Sequence, residues 1–335
     1  MTRSKNVRLS IANQAGMTLI ELLVALAIGS FLMIGAVQVY NQSRQAFIIN
    51  ESIARVQETA QFAMDTIEAD LRMASNWGMH SRGTAVEGRS IIGNANPNSL
   101  AAPATCGANW ALDLARPVDG NNDAYGLACP AVGTAGAQAN SDVVTTRRAT
   151  VTPTALTPGR LQIQSTRIQG ALVDNGLMPT GFTVADSETH DLLVNSYYVS
   201  APSAQTAGVL IPGVPSLRRK SLGVAGGAAT ITDQEVAPGI ENMQLQLGVD
   251  VDEDNTVDRY VNPGDAILTP GAAGFIPGSR VITARIWLVV RGVTTELGIR
   301  DNVNYAPAGV ALGTYSDSFR RMQVSKTILL RNART

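Results

Sequence analysis

At 335 residues, with 45% hydrophobic and 16% charged residues, the chain is long enough for one large domain or two small ones, with the composition of a globular fold carrying an apolar anchor. Three cations, Arg3, Lys5 and Arg8, precede the first apolar run. Without them the formal charge of −1 becomes −1 − 3 = −4, which argues against a nucleic-acid binder.

Residues 17–39 organise everything that follows: 23 residues whose only formal charge is Glu21. As a helix they would extend about 34 Å, enough for the ~30 Å hydrocarbon core of a bilayer. A secretory signal has a shorter apolar region with a small-residue cleavage site after it. Here the one processing signal, Gly16, lies before the run, so residues 1–16 read as a leader and the apolar helix survives cleavage. The basic leader stays cytoplasmic by the positive-inside tendency, which places the bulk of the chain outside the cytoplasm after a single pass. A carboxylate within a membrane helix costs roughly 2.5–3.5 kcal/mol, so Glu21 reads as a paired, functional acid; the alternative is an acid that snorkels to the interface.

From residue 40 to 77 the pattern turns amphipathic. Ile49, Ile53, Val56, Ala60, Ala63, Ile67, Leu71 and Ala74 recur every three or four positions with charged residues between them. No breaker intervenes before Gly78, so one helix is expected from about 17 to 76, its second half laid on a globular head and Gly78 ending it. Residues 78–141 read as an irregular insertion rich in Gly, Asn, Ala and Pro. It holds both cysteines, Cys106 and Cys129, which an oxidising compartment would join; two unpaired buried thiols are the alternative.

From 142 to 335, strand-like runs alternate with turns: DVVTTRR, RLQIQST, LLVNSYYVS, SLRRKSL, ATITDQEV, NMQLQLGV, VITARIWLVVRG and MQVSKTILLRN. In the seventh, Ile282, Ala284, Ile286, Leu288 and Val290 alternate with Thr283, Arg285, Trp287 and Val289, the period of a sheet with one buried face. The expected fold class is α+β, a long N-terminal helix packed on an antiparallel β-sheet head. Between two strands, DVDEDNTVD sets Asp250, Asp252, Asp254 and Asp258 at positions 1, 3, 5 and 9 of an EF-hand-like loop, with the Thr256 carbonyl at position 7. Asn255 stands where glycine is usual, and Val261 where the bidentate Glu would be, with Asp265 as a substitute. The loop is read either as a Ca²⁺ site or as a solvated acidic turn. His80 and His190 are isolated and no nucleophile elbow or phosphate loop occurs, so no enzyme is expected and no cofactor is required. The basic pairs and triplets Arg147–Arg148 and Arg218–Arg219–Lys220 read as strand faces or part of a protein interface.

Gly16, Met17, Thr18, Leu19, Ile20 and Glu21, behind a short basic leader, resemble the prepilin leader of type IV pilins and type II secretion pseudopilins. The resemblance implies that a prepilin peptidase cuts between Gly16 and Met17 and methylates the new amine, and that Glu21 faces that amine on a neighbouring subunit. Met17 stands where the family usually carries Phe. Later stretches resemble minor pilins of the PilW family: Arg44 and Gln45, Asn50 and Glu51, Arg55, Gln57 and Glu58, Phe62 and Ala63, residues 70–74 before Trp77 and Gly78, Gly239 to Glu241, the aspartate loop, and 327–332. That likeness implies a low-abundance subunit in the inner membrane with a periplasmic head. It would join other minor pilins, prime polymerisation of the major pilin, and end at the pilus tip beside a PilY-type adhesin, in a fibre serving adhesion or twitching motility. A J-type pseudopilin shares the leader and stalk, and a solitary membrane-anchored adhesin or receptor shares only the anchor.

Overall fold

The structure is a computed structural model and describes residues 16–90, 100, 106–107, 109–133, 135–206, 209–211, 213–296 and 298–333. The leader, except Gly16, lies outside the described residues, as does part of the insertion. The chain divides into two units, Met1–Ser52 and Ile53–Thr335. In the first, the opening stretch of helix α1 (Leu19–Met73) leaves every side chain from 16 to 50 exposed. The 18-residue apolar window in this helix is wholly unburied, and among the described residues it is the one helix long and apolar enough to cross a membrane.

The second unit packs the rest of α1 on two sheets. The larger is built from β1 (Val86–Glu87), β2 (Val118–Asn121), β3 (Val143–Ala149), β4 (Pro158–Ser165), β5 (Gly170–Asn175), β6 (Glu188–Ser200), β9 (Ser216–Ala225) and β10 (Ala228–Pro238). Its order is β1-β5-β4-β6-β3-β2, with β9 also on β6 and β10 on β9. Among the described strands, only β1 pairs in parallel, with β5. β6 is long enough to be shared end to end: its first four residues pair with β4 and its last six with β9. The smaller sheet runs β12 (Arg259–Val261), β11 (Ile240–Asp250), β13 (Arg280–Arg291), β14 (Arg321–Leu329), all antiparallel. Between β6 and β9, β7 (Gln205–Thr206) and β8 (Val209–Leu210) form a two-stranded ribbon.

The helical stripe is buried from Val56 onward as the spacing predicts, whereas its first two members differ: Ile49 is exposed and Ile53 half-buried. Val56, Ala60, Ala63, Ile67, Leu71 and Ala74, joined by Met64, meet Met243, Leu245, Ile286, Leu288, Val290 and Ile328 of the smaller sheet and Tyr197 and Leu217 of the larger. Small alanines on the helix let it approach the sheet closely. A second core gathers Trp77, Val86, Trp110, Leu112, Leu114, Leu161, Ile163 and Leu172 around the disulfide between Cys106 and Cys129. The helix closes earlier than expected. It stops at Met73, and Ser75 already takes the left-handed conformation (φ 67°), three residues before Gly78 (φ 93°), with its hydroxyl donating to the Ser81 carbonyl at 2.8 Å. Gly78 also serves close packing, because a Cβ there would lie 2.5 Å from the His190 ring. β13 also departs from a one-faced pattern: Val289 and Arg291 on its outer face are buried, and Arg291 stacks on Phe319 in the segment from 292 to 320, which straps the smaller sheet.

Candidate assembly site

Gly16 and Met17 precede α1 and are exposed. Glu21 lies in the first helical turn, where its Oε2 accepts hydrogen bonds from the Thr18 amide and the Thr18 hydroxyl, both at 2.9 Å, while the Glu21 amide donates to that hydroxyl at 3.4 Å. This reciprocal pairing is a capping box, in which two otherwise orphaned helix donors are satisfied. The Thr-x-x-Glu spacing was legible in the sequence beside the apolar run. It gives the carboxylate a partner within its own chain, one residue from Met17.

In the head, a single acid binds the helix to the larger sheet. Asp70 is buried on α1. Its Oδ1 accepts from Nε and Nη2 of Arg148 at 3.1 and 2.9 Å, and its Oδ2 from Asn195 Nδ2 and the Tyr197 hydroxyl, both at 2.6 Å. Burial, and then the nearby Asp70 charge, push the Tyr197 phenol above its ordinary range, which keeps it a donor. The other basic residues noted in the sequence are likewise consumed inside the head. Arg147 donates to the carbonyls of Trp110 and Arg116 at 2.7 and 2.6 Å, pinning the insertion to β3. Arg218 and Lys220 both reach Asp233 at 2.6 Å. What looked like basic surface is internal wiring, with Arg219 donating to Gln234 at 3.0 Å on the exposed side.

On the smaller sheet, Arg321 uses all five of its N–H donors. Nε and Nη2 grip Glu241 at 2.6 and 3.0 Å, Nη1 reaches Asp301 at 3.2 Å, and Nη1 and Nη2 reach Asp317 at 2.5 and 2.7 Å. The guanidinium stacks 3.8 Å from the Tyr315 ring centroid. Asp301, Tyr315 and Asp317 all belong to the 292–320 strap, which folds back on itself through bridges Asp301↔Asp317 and Asn304↔Thr314. The strap is therefore held by charge-assisted bonds more than by apolar burial.

In the aspartate loop, Asp250, Asp252 and Asp254 bring carboxylate oxygens within 4.8 Å of one another. Asn255 takes the left-handed conformation (φ 66°) that the sixth position of such a loop demands. Of the remaining carboxylates, Asp258 accepts from the Val251 amide at 2.8 Å and Asp265 caps a turn through the Ile267 amide at 2.9 Å, while Asp254 accepts from the Thr256 hydroxyl at 2.6 Å. Arg280 lies 3.0 Å from the buried Asp250, so a guanidinium already supplies the countercharge there.

Asp142 joins the insertion to both sheets. At the start of β3, its two oxygens accept from the amides of Asp123 and Leu245, each at 2.7 Å. Burial outweighs these bonds and pushes the carboxyl up to about 6. Because this value lies above that of the unfolded chain, the group's contribution is full below about pH 4 and lost as pH rises through about 6. Thermal unfolding between pH 4 and 8 should show this loss, on the order of 3 kcal/mol, and Asp142→Asn should remove that step from the profile.

Residues 196–332 match the family model "Type IV Pilus-assembly protein W", and residues 11–37 match "Prokaryotic N-terminal methylation motif". No curated protein matches the chain, and no solved structure does. The second match spans Gly16, Met17 and Glu21, and the first begins within β6 and runs through both Glu241 and Arg321.

Proposed function

We propose, from its place in the PilW family of type IV pilus minor pilins, that this chain is a structural subunit of the inner membrane, primed by proteolysis for incorporation at the pilus tip. The observation that carries the reading is the sequence of features at the N-terminus: a processing glycine, a carboxylate four residues past the new terminus, and an apolar helix wholly exposed along its membrane-length stretch. Cleavage after Gly16 by a prepilin peptidase frees the Met17 amine. In the stored subunit the Thr18 capping box holds the Glu21 charge, which lessens its cost in lipid. In the filament the carboxylate exchanges this partner for the methylated amine of a neighbouring pilin, so proteolysis creates the countercharge that drives packing. The head, outside the membrane, joins other minor pilins to prime the major pilin and carries a PilY-type adhesin. The PilW match favours this assembly over a secretion pseudopilus.

Gly16→Val should leave the leader attached, read by intact mass of the membrane-extracted chain, and abolish incorporation into sheared pili. Glu21→Val should be cleaved and inserted normally yet enter pili roughly tenfold less, the factor expected for losing about 1.4 kcal/mol of pairing. Normal entry of the uncleaved chain into pili would defeat the reading.

A further inference from the structure

We infer that the free edge of β14 receives an edge strand from the head of a neighbouring pilin by β-strand addition. The inference rests on the assembly reading above and adds to it a specific contact surface. β14 closes the smaller sheet, and no other described strand pairs with its outer edge. Its register on β13 runs without a shift from Thr283↔Leu329 to Arg291↔Arg321. The amide of Leu330 donates to the Ile282 carbonyl and that of Gly292 to the Arg320 carbonyl, which places the even-numbered residues in the hydrogen-bonded pairs of this ladder. The odd-numbered residues Gln323, Ser325, Thr327 and Leu329 therefore direct their N–H and C=O groups away from β13, and all four are exposed. This is a row of donors and acceptors at the spacing of another strand.

The remaining outer edges are blunted in the ways natural sheets use. β1, β2 and β12 have two, four and three residues. β10 carries a register shift between Glu235 and Ala237 and ends at Pro238. β14 has nine residues, no proline and no bulge. Its one gatekeeping cation, Lys326, is turned to the core side and engaged by Asp65 at 3.4 Å and by Glu68 on α1. A long flat edge so exposed would favour aggregation in a chain that stays alone. In a subunit whose family assembles with other pilins it fits a strand from the next head, with the small polar side chains of Ser325 and Thr327 facing their cross-strand partners. The edge also adjoins the helix on which pilin packing depends, through the Lys326 contacts to α1.

The test compares the full-length chain alone with the same tagged chain purified in detergent together with the pilin subunits bound to it in its native membrane, by residue-resolved amide hydrogen exchange. In the chain alone, the amides of Gln323, Ser325 and Thr327 should exchange rapidly while those of Val324, Lys326 and Ile328 are protected. In the assembly the three odd-numbered amides should slow by roughly tenfold or more. Ser325→Pro, which removes only an outward N–H as edge strands tolerate, should leave the melting midpoint nearly unchanged and reduce recovery of bound pilins. Thr327→Pro should act likewise. A pilin assembly in which those amides exchange as in the lone chain, or one recovered in full with Ser325→Pro, overturns the edge assignment and leaves the reading of Proposed function standing. A wild-type chain that binds no second pilin overturns both.

Discussion

Replacing Asp70 by Ala should lower the melting midpoint of the head by roughly 10 °C, the shift expected for about 3–5 kcal/mol in a domain of this size. The magnitude follows from what is left behind. Two nitrogens of Arg148, the amide of Asn195 and the hydroxyl of Tyr197 all converge on this carboxylate, and each would remain in a site with little water. A half-buried guanidinium without its anion, beside a buried Tyr197 hydroxyl without its acceptor, costs more than the lost bonds are worth in water. Asp70→Asn keeps one acceptor oxygen and the shape but not the charge, so it should recover less than half of the loss. Thermal unfolding followed by circular dichroism checks both variants, and an Ala variant melting within 2 °C of wild type, roughly the scatter of such a measurement, would show that the helix is held by apolar packing alone.

Arg321→Ala should be comparably severe, again about 3–5 kcal/mol, and its effect should centre on the strap. Glu241 would then keep the Arg291 guanidinium, which lies 3.2 Å from it and stacks on Phe319 at 4.1 Å, while Asp301 and Asp317 would keep amide and hydroxyl donors of the strap in place of a bonded cation. The Arg321 bonds, opposed by burial, hold the Asp317 carboxyl below its ordinary value. A depressed value means a contribution in place above about pH 4 and lost as pH falls through the folded value. In the Ala variant the Asp317 titration, followed by NMR, should move upward, and amide exchange across 292–320 should accelerate more than in the α1–sheet core. Arg321→Lys restores the charge without the planar fork and should rescue only part of the loss.

The features legible in the sequence were those set by periodicity or by strong local chemistry. The helical stripe from Val56 to Ala74 and all eight quoted strand runs lie on regular elements, because burial on one face imposes a period that the residue order must carry. The α+β class followed from them. β5, β7, β8 and β12 were not assigned, and β1 and β2 were not located within the insertion: all but β5 are short, and GALVDN reads as a turn until β4 is alongside to pair with it. The helix end was misplaced because Ser75 adopts a left-handed conformation that sequence rules assign to glycine first. Gly16 and Glu21 were readable as a site, and the capping box beside them followed a known spacing that went unused. Asp70 and Glu241 were named only as points of family likeness. Their partners Arg148, Tyr197 and Arg321 stand 78, 127 and 80 positions away, a pairing that no local pattern encodes.

The two hydrophobic cores draw on different parts of the chain. Every fully buried residue around the disulfide precedes position 196, whereas the sheet residues clasping α1 fall mostly after it. The lobe carrying Trp110 and the cysteines can thus diversify, lengthen or be exchanged between relatives without redrawing the surface that grips the stalk. A chain built this way offers evolution a replaceable face on a fixed helix-bearing frame.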